Sequence, residues 1–229
     1  MLKPIVKQIK RWEKALNKSY QHPIVTARDR RRAVFFARWI DHGVLRAAWH
    51  NFDTVAPGVY RSNHPSPARV AALPGRGIRS LINLRGDADL PTSLLSAEAA
   101  EAYGLTVINV RMSARKAPRI ERINMLLDVF ETLEPPFLIH CKSGADRTGL
   151  AAAIYLSEVA GLPPAEARAQ LSTRYLHLRW SRTGVLDMFY DRYAAAHAET
   201  GIRLRDWVNG GYCPDALQRD FNATPLLRR

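Results

Sequence analysis

A short apolar run, Pro136-Phe137-Leu138-Ile139-His140, passes into Cys141-Lys142-Ser143-Gly144-Ala145-Asp146-Arg147-Thr148-Gly149 and then into an Ala/Leu-rich stretch reaching Val159. The Pro-Pro break, the apolar run and the helix-prone continuation predict strand, tight loop and helix in that order. In such a loop the backbone N–H groups of residues 142 to 147 converge on one point. The helix starting near Arg147 adds its own unpaired N–H groups and the positive end of its dipole. That point is an anion site. A cysteine beside it has its thiolate stabilised, so Cys141 is the candidate nucleophile. Arg147 offers a planar fork that can hold two phosphoryl oxygens and follow them as charge spreads, which a lysine does less well. Gly144 and Gly149 clear side chains where backbone must come close, and the Thr148 hydroxyl is placed to donate to the sulfur. An inert cysteine at the end of a core strand is the plain alternative. It leaves the Gly-x-x-Arg-Thr-Gly continuation without a reason.

The full match, His-Cys-x5-Arg-Ser/Thr-Gly after a buried strand, resembles the cysteine-dependent protein tyrosine and dual-specificity phosphatases. Val59-Tyr60-Arg61-Ser62-Asn63-His64-Pro65-Ser66-Pro67 resembles the bacterial dual-specificity-like strand followed by a Pro-Ser helix start. Ile78 to Arg85 and Leu105 to Met112 resemble further strands of that pattern. The likeness spans residues 55 to 200 or so, and only the Cys141 loop is highly specific. It implies an α/β fold with a mainly parallel central sheet of about four to five strands, helices on both faces and the site at the carboxyl end of a central strand. Apolar runs near 78–84, 105–110 and 136–140 alternate with helical stretches near 93–103, 119–133, 147–160, 164–173 and 182–198, in agreement.

The resemblance further implies a phosphomonoester hydrolase without metal or cofactor. Cys141 attacks phosphorus, Arg147 and the loop formed by Lys142, Ser143, Gly144, Ala145, Thr148 and Gly149 bind the oxygens, and water hydrolyses the phosphocysteine. The expected substrate is phosphotyrosine, and phosphoserine beside it, on a phosphorylated protein. A phosphoinositide or other phospholipid head group is the alternative, motivated by Asp146, Lys142 and the basic N-terminus. A phosphate-binding pseudophosphatase is a third reading, because one part is missing. The family's general-acid aspartate precedes the cysteine by about thirty residues, yet Asn109 to Pro118 holds no carboxylate and carries Arg111, Arg115 and Lys116 instead. These three form a basic rim that favours a strongly anionic substrate, or else a solvated charge run. Asp146, at the position where myotubularin-type lipid phosphatases and some bacterial tyrosine phosphatases carry aspartate, is the expected substitute acid. Asp87 and Asp89 are weaker candidates, His140 is read as orienting the loop, and His177 and Arg179 as packed residues near the pocket.

The net charge is +13, and residues 1–46 hold twelve Lys/Arg against three Asp/Glu. Ile5, Ile9, Trp12, Leu16 and Tyr20 recur at helical spacing with Lys3, Lys7, Lys10, Arg11, Lys14 and Lys18 largely on other faces, a basic amphipathic helix. A second cluster, Ala33-Val34-Phe35-Phe36 with Trp39-Ile40, follows Arg30-Arg31-Arg32. Packing on the catalytic domain and attachment to an anionic membrane surface are both open for residues 1–46; nucleic acid binding is not expected. The chain divides as a basic helical extension (1–46), a catalytic domain (47–215) and a tail (216–229). Two cysteines, Cys141 and Cys213, argue against a disulfide-built secreted protein. The His and Cys residues lack ligand-like clustering, so no metal site is expected. No apolar stretch approaches the ~20 residues of a spanning helix or forms a secretory signal core, and a cytoplasmic location is the expectation, peripheral to a membrane if residues 1–46 attach to one.

Overall fold

The computed structural model describes residues 8, 15, 19–86 and 89–225. Five strands form one sheet: β1 (Asp53–Ala56), β2 (Val59–Ser62), β3 (Ser80–Asn83), β4 (Thr106–Asn109) and β5 (Phe137–His140), in the order β1-β2-β5-β3-β4. β1 runs antiparallel to β2, and the other pairings are parallel. Central parallel strands covered on both faces read as unbroken buried runs, and β3 and β5 are buried at all four positions. Alternate residues serve opposite faces. Ile82, Phe137 and Ile139 enter the larger core with Leu126, Phe130, Leu150 and Phe189, while Leu81 and Leu138 join Val70, Leu73, Ile78 and Ala100 in a smaller one.

The helices whose bounds lie within the described residues are α1 (Ala27–Phe35), α2 (Gly43–Ala48), α3 (Pro67–Ala71), α4 (Pro91–Ala102), α5 (Ile120–Thr132), α6 (Asp146–Glu158), α7 (Pro164–Ala167), α8 (Val185–Thr200), α9 (Leu204–Gly210) and α10 (Pro214–Ala223). The fold is the expected α/β arrangement, with three strands and four of the five helical stretches close to their expected spans. The stretch expected as one helix over 164–173 is shorter: α7 tightens into a 3-10 turn, Arg168–Gln170, before Leu171. Residues 214–223, expected to run into a tail from 216, form α10, whose Leu217 and Phe221 are buried in the larger core.

Most of the expected helix over residues 1–20 lies outside the described residues. From Thr26 the chain is well specified locally. The Thr26 and Asp29 side chains cap one another's backbone in a capping box that starts α1. Ala33 and Phe36 are buried, with Tyr20 packed 5.0 Å from the Phe36 ring, whereas Val34, Phe35 and Trp39 are exposed. A π-helical turn, Phe36–Ile40, then delivers Asp41 into the interior. Residues expected to belong to an extension thereby reach the edge of the site.

Candidate active site

The loop between β5 and α6 is braced from outside. The Lys142 carbonyl accepts the His64 N–H at 3.2 Å, the Ser143 carbonyl accepts Asn51 Nδ2 at 2.8 Å, and the Gly144 carbonyl accepts an Arg61 guanidinium nitrogen at 2.7 Å. In a planar trans peptide the N–H points opposite to the carbonyl it follows. Tying three successive carbonyls outward therefore turns the N–H groups of Ser143, Gly144 and Ala145 toward the loop's interior. Gly144 has φ +73°, and a Cβ there would lie 2.6 Å from the Asn63 nitrogen, so only glycine fits. At Gly149 a Cβ would lie 2.7 Å from the Gln170 carbonyl oxygen. The central brace is Arg61 of the Tyr-Arg-Ser strand. It is fully buried, donates also to the Gln170 carbonyl at 3.0 Å, and lies 3.5 Å over the Tyr175 ring.

Cys141 is 1% exposed at the base of this loop. Burial alone pushes its thiol up. The Arg147 charge and hydrogen bonding from Thr148 outweigh burial and leave the thiol below its ordinary range. The Thr148 hydroxyl is buried with no other partner among the described residues, and its hydrogen bonding to the sulfur is one of the causes that lower the thiol. Arg147 touches the Leu84 carbonyl at 3.4 Å, while its buried Nε has no partner among the described residues. His140 is held neutral, its pKa pushed down to about 3 by burial and then by Arg85. It packs edge-on against His64 at 4.9 Å. Its Nδ1 is buried without a hydrogen-bond partner among the described residues, so the expected orienting role finds no bond there, and the low pKa removes it as an acid at neutral pH.

A cleft of about 1040 Å³ opens over the loop. Lys142, Ser143, Asp146 and Arg147 line it from the loop, and the expected basic rim of Arg111, Arg115 and Lys116 lines it from the 110–118 segment. Arg119 and Arg122 extend that wall; Arg46 and Trp49 close the opposite side. Beneath the cations lies a residue the sequence did not single out. Asp41 accepts two hydrogen bonds from Arg85 at 2.8 and 3.1 Å and one from Thr92 at 2.9 Å, and pairs with Arg46 at 2.9 Å and Lys142 at 3.0 Å. Burial opposes its ionisation, but Arg85, Lys142 and Arg46 together hold it well below the usual carboxylate range. No local spacing announces a contact between residues so far apart in sequence.

Asp146, the expected acid, also lines the cleft. His177 donates Nδ1–H to its Oδ1 at 2.8 Å and Nε2–H to Asp187 Oδ2 at 2.6 Å. A carboxylate oxygen faces each ring nitrogen, so the ring is placed to carry both protons as an imidazolium. His177 and Asp187 are 1% and 2% exposed as side chains, and Arg168 reaches Asp187 at 3.3 Å. Burial works against the charge, yet the two carboxylates raise the His177 pKa to about 9. Arg179 stands farther out, paired with Asp191 at 2.9 Å. Asp89 is exposed and away from the cleft lining, and Asp87 lies outside the described residues. The raised pKa makes stability pH-dependent in a stated direction. The imidazolium's contribution is fully present below about pH 6.5 and is lost as pH climbs through about 9, a change of about 3 kcal/mol for this site. Urea unfolding at pH 6 and pH 9.5 should show that loss in the native chain, and a smaller one in His177→Asn.

A thiol under an inward-facing amide loop, with Arg147 beside it and β5 feeding α6, is the strand-loop-helix site of the cysteine-dependent dual-specificity-type phosphatases. Residues 51–186 match the family described as PTP-SAK, the Swiss Army Knife protein DSP-PTPase phosphatase domain, and the chain belongs to that family. It is 34% identical over 107 residues to the inositol diphosphatase DSP4 of Arabidopsis thaliana, covering 43% of this chain and 51% of the relative. It is 30% identical over 153 residues to the inositol diphosphatase DSP1 of Oryza sativa subsp. japonica, covering 65% and 59%. The chain thus spans between half and three fifths of these curated relatives. Among solved structures, the core catalytic domain of the PP-IP phosphatase SIW14 of S. cerevisiae superposes with a TM-score of 0.51 at 20% identity, covering 67% of this chain and 94% of that one. A DUF442 protein of Shewanella putrefaciens CN-32 gives 0.54 at 15%, covering 67% and 95%. Both likenesses concern the fold. No helix among the described residues is long and apolar enough to cross a membrane.

Proposed function

We propose that the protein removes the terminal phosphate from a diphosphate group on a multiply phosphorylated inositol, through a phosphocysteine on Cys141. The observation that carries this reading is the make-up of the cleft. Nine arginine and lysine side chains line it, and Asp146 is the one carboxylate among its described lining residues. Such a field suits a compact ring bearing several phosphates, each able to take a forked arginine contact. It suits a lone phosphotyrosine on an uncharged peptide less well, so the substrate expected from the signature gives way to a polyphosphorylated inositol, the ring shared with the expected phosphoinositide alternative. The two plant relatives named inositol diphosphatases support the same direction.

The missing acid becomes intelligible on this substrate. A phenoxide leaving group has a conjugate acid pKa of about 10 and needs a proton in the transition state. Cleaving a phosphoanhydride expels a phosphate, whose second ionisation is near pH 6, so it departs without one. The reaction then asks of this chain a thiolate, oxyanion donors and cationic positioning, which the loop and cleft supply.

Release of phosphate in EDTA from a diphosphoinositol polyphosphate, inositol hexakisphosphate, a phosphotyrosine peptide and a phosphoinositide in vesicles tests the reading. The diphosphate substrate should give the highest kcat/KM, by tenfold or more in the order of one missing or added cleft contact. A higher value on the peptide would restore the protein-phosphatase reading. A higher value on vesicles would favour the lipid one, for which Phe35, Trp39 and Trp49, exposed on the N-terminal segment, are the supporting observation.

A further inference from the structure

Asp146 sits in the phosphate loop, yet one of its oxygens already takes a proton from a buried imidazolium. That oxygen has no proton to give. Among the described residues Oδ2 makes no hydrogen bond, and the side chain lines the cleft at 19% exposure. Behind His177 stands Asp187, and behind Asp187 stands Arg168, itself joined to Asp191, so the ring is fixed in orientation as well as in charge. The groups facing His177 from the helices packed on it are Asp146 from α6 and Asp187 from α8. A buried imidazolium held between two carboxylates costs desolvation that a packed apolar side chain would not incur.

We propose that His177, held by Asp187, is a positioning residue that fixes Asp146, with Oδ2 open to the cleft, as the proton acceptor for the second half of the reaction, hydrolysis of the phosphocysteine. In that step a water oxygen bonds to phosphorus and the S–P bond breaks. Its electron pair returns to Cys141 as thiolate, and the water proton passes to Asp146 Oδ2. The clamp therefore acts after the leaving group has gone. This rests on the cysteine-phosphatase reading but is separable from it, because the two half-reactions can be timed apart.

Rapid-quench measurement of phosphoenzyme, alongside steady-state turnover, on aryl phosphates with good and poor leaving groups tests the proposal with the native chain, Asp187→Asn and His177→Gln. Asp187→Asn preserves shape and leaves the ring beside Asp146, and the burst amplitude counts folded sites in each variant. The expected result is an unchanged burst with steady-state turnover at pH 8 lowered about tenfold to a hundredfold, equally for both leaving groups, with phosphoenzyme accumulating. The alkaline limb of the turnover profile should also move to lower pH in Asp187→Asn. A loss confined to the poor leaving group would make Asp146 the proton donor and overturn the proposal. Unchanged turnover, or loss of burst and turnover together, would overturn it as well. Absence of phosphoenzyme and turnover in the native chain would instead remove the phosphatase reading itself.

Discussion

Cys141→Ser should abolish turnover of a diphosphoinositol substrate, lowering kcat by about 10⁴-fold or more, while substrate affinity changes only a few-fold. The argument is one of ionisation. The sulfur lies below its ordinary pKa because Arg147 and Thr148 outweigh the cost of burial, so the nucleophile exists at neutral pH before substrate arrives. A serine hydroxyl in the same place stays protonated: His140, its pKa pushed down to about 3 and its ring packed against His64, is too weak a base to take the proton, and Asp146 is placed for the water of the second step rather than for the nucleophile. The loop N–H groups and cationic walls are untouched, so binding survives. Phosphate release and isothermal titration on both proteins, in EDTA, separate the outcomes. Binding without turnover in the native chain would point to a pseudophosphatase, and turnover retained by the serine variant would remove the phosphocysteine.

Arg147→Lys should cost about 10³-fold in kcat, with a smaller rise in KM. Lysine keeps the charge, so the experiment isolates geometry. The guanidinium's buried Nε has no partner among the described residues, and its terminal nitrogen makes one long contact to the Leu84 carbonyl. The fork is thus largely uncommitted and available to two equatorial oxygens as their charge grows. An ammonium offers a point charge without that fork. It would also weaken the field at Cys141, whose largest favourable influence is Arg147, so the acid limb of the kcat/KM profile should shift to higher pH in the variant. Equal kcat in the two proteins would show that the arginine supplies charge alone.

The loop and the strands around it were readable because their determinants are local. A buried four-residue run, a glycine where backbone meets backbone and a helix start beside an arginine all leave marks within ten residues. Arg61 was half legible: its strand was recognised, but that its side chain holds the Gly144 carbonyl 83 residues away was not. Asp41 and the His177–Asp187 pair were illegible for a physical reason. Buried ion pairs are set by tertiary contact between distant segments, and a lone aspartate or histidine in sequence looks the same whether it meets water or a guanidinium. The C-terminal helix escaped for another: Leu217 and Phe221 lie four apart, too brief a pattern to separate a packed helix from a loose end.

Asp41 lies ten residues before the stretch that matches the family, yet three cations of the cleft converge on it. Bond breaking and charge balance are therefore carried on separate stretches of chain. A change confined to that preceding helical hook would alter the charge balance beneath the cleft and leave every residue of the signature loop as it was.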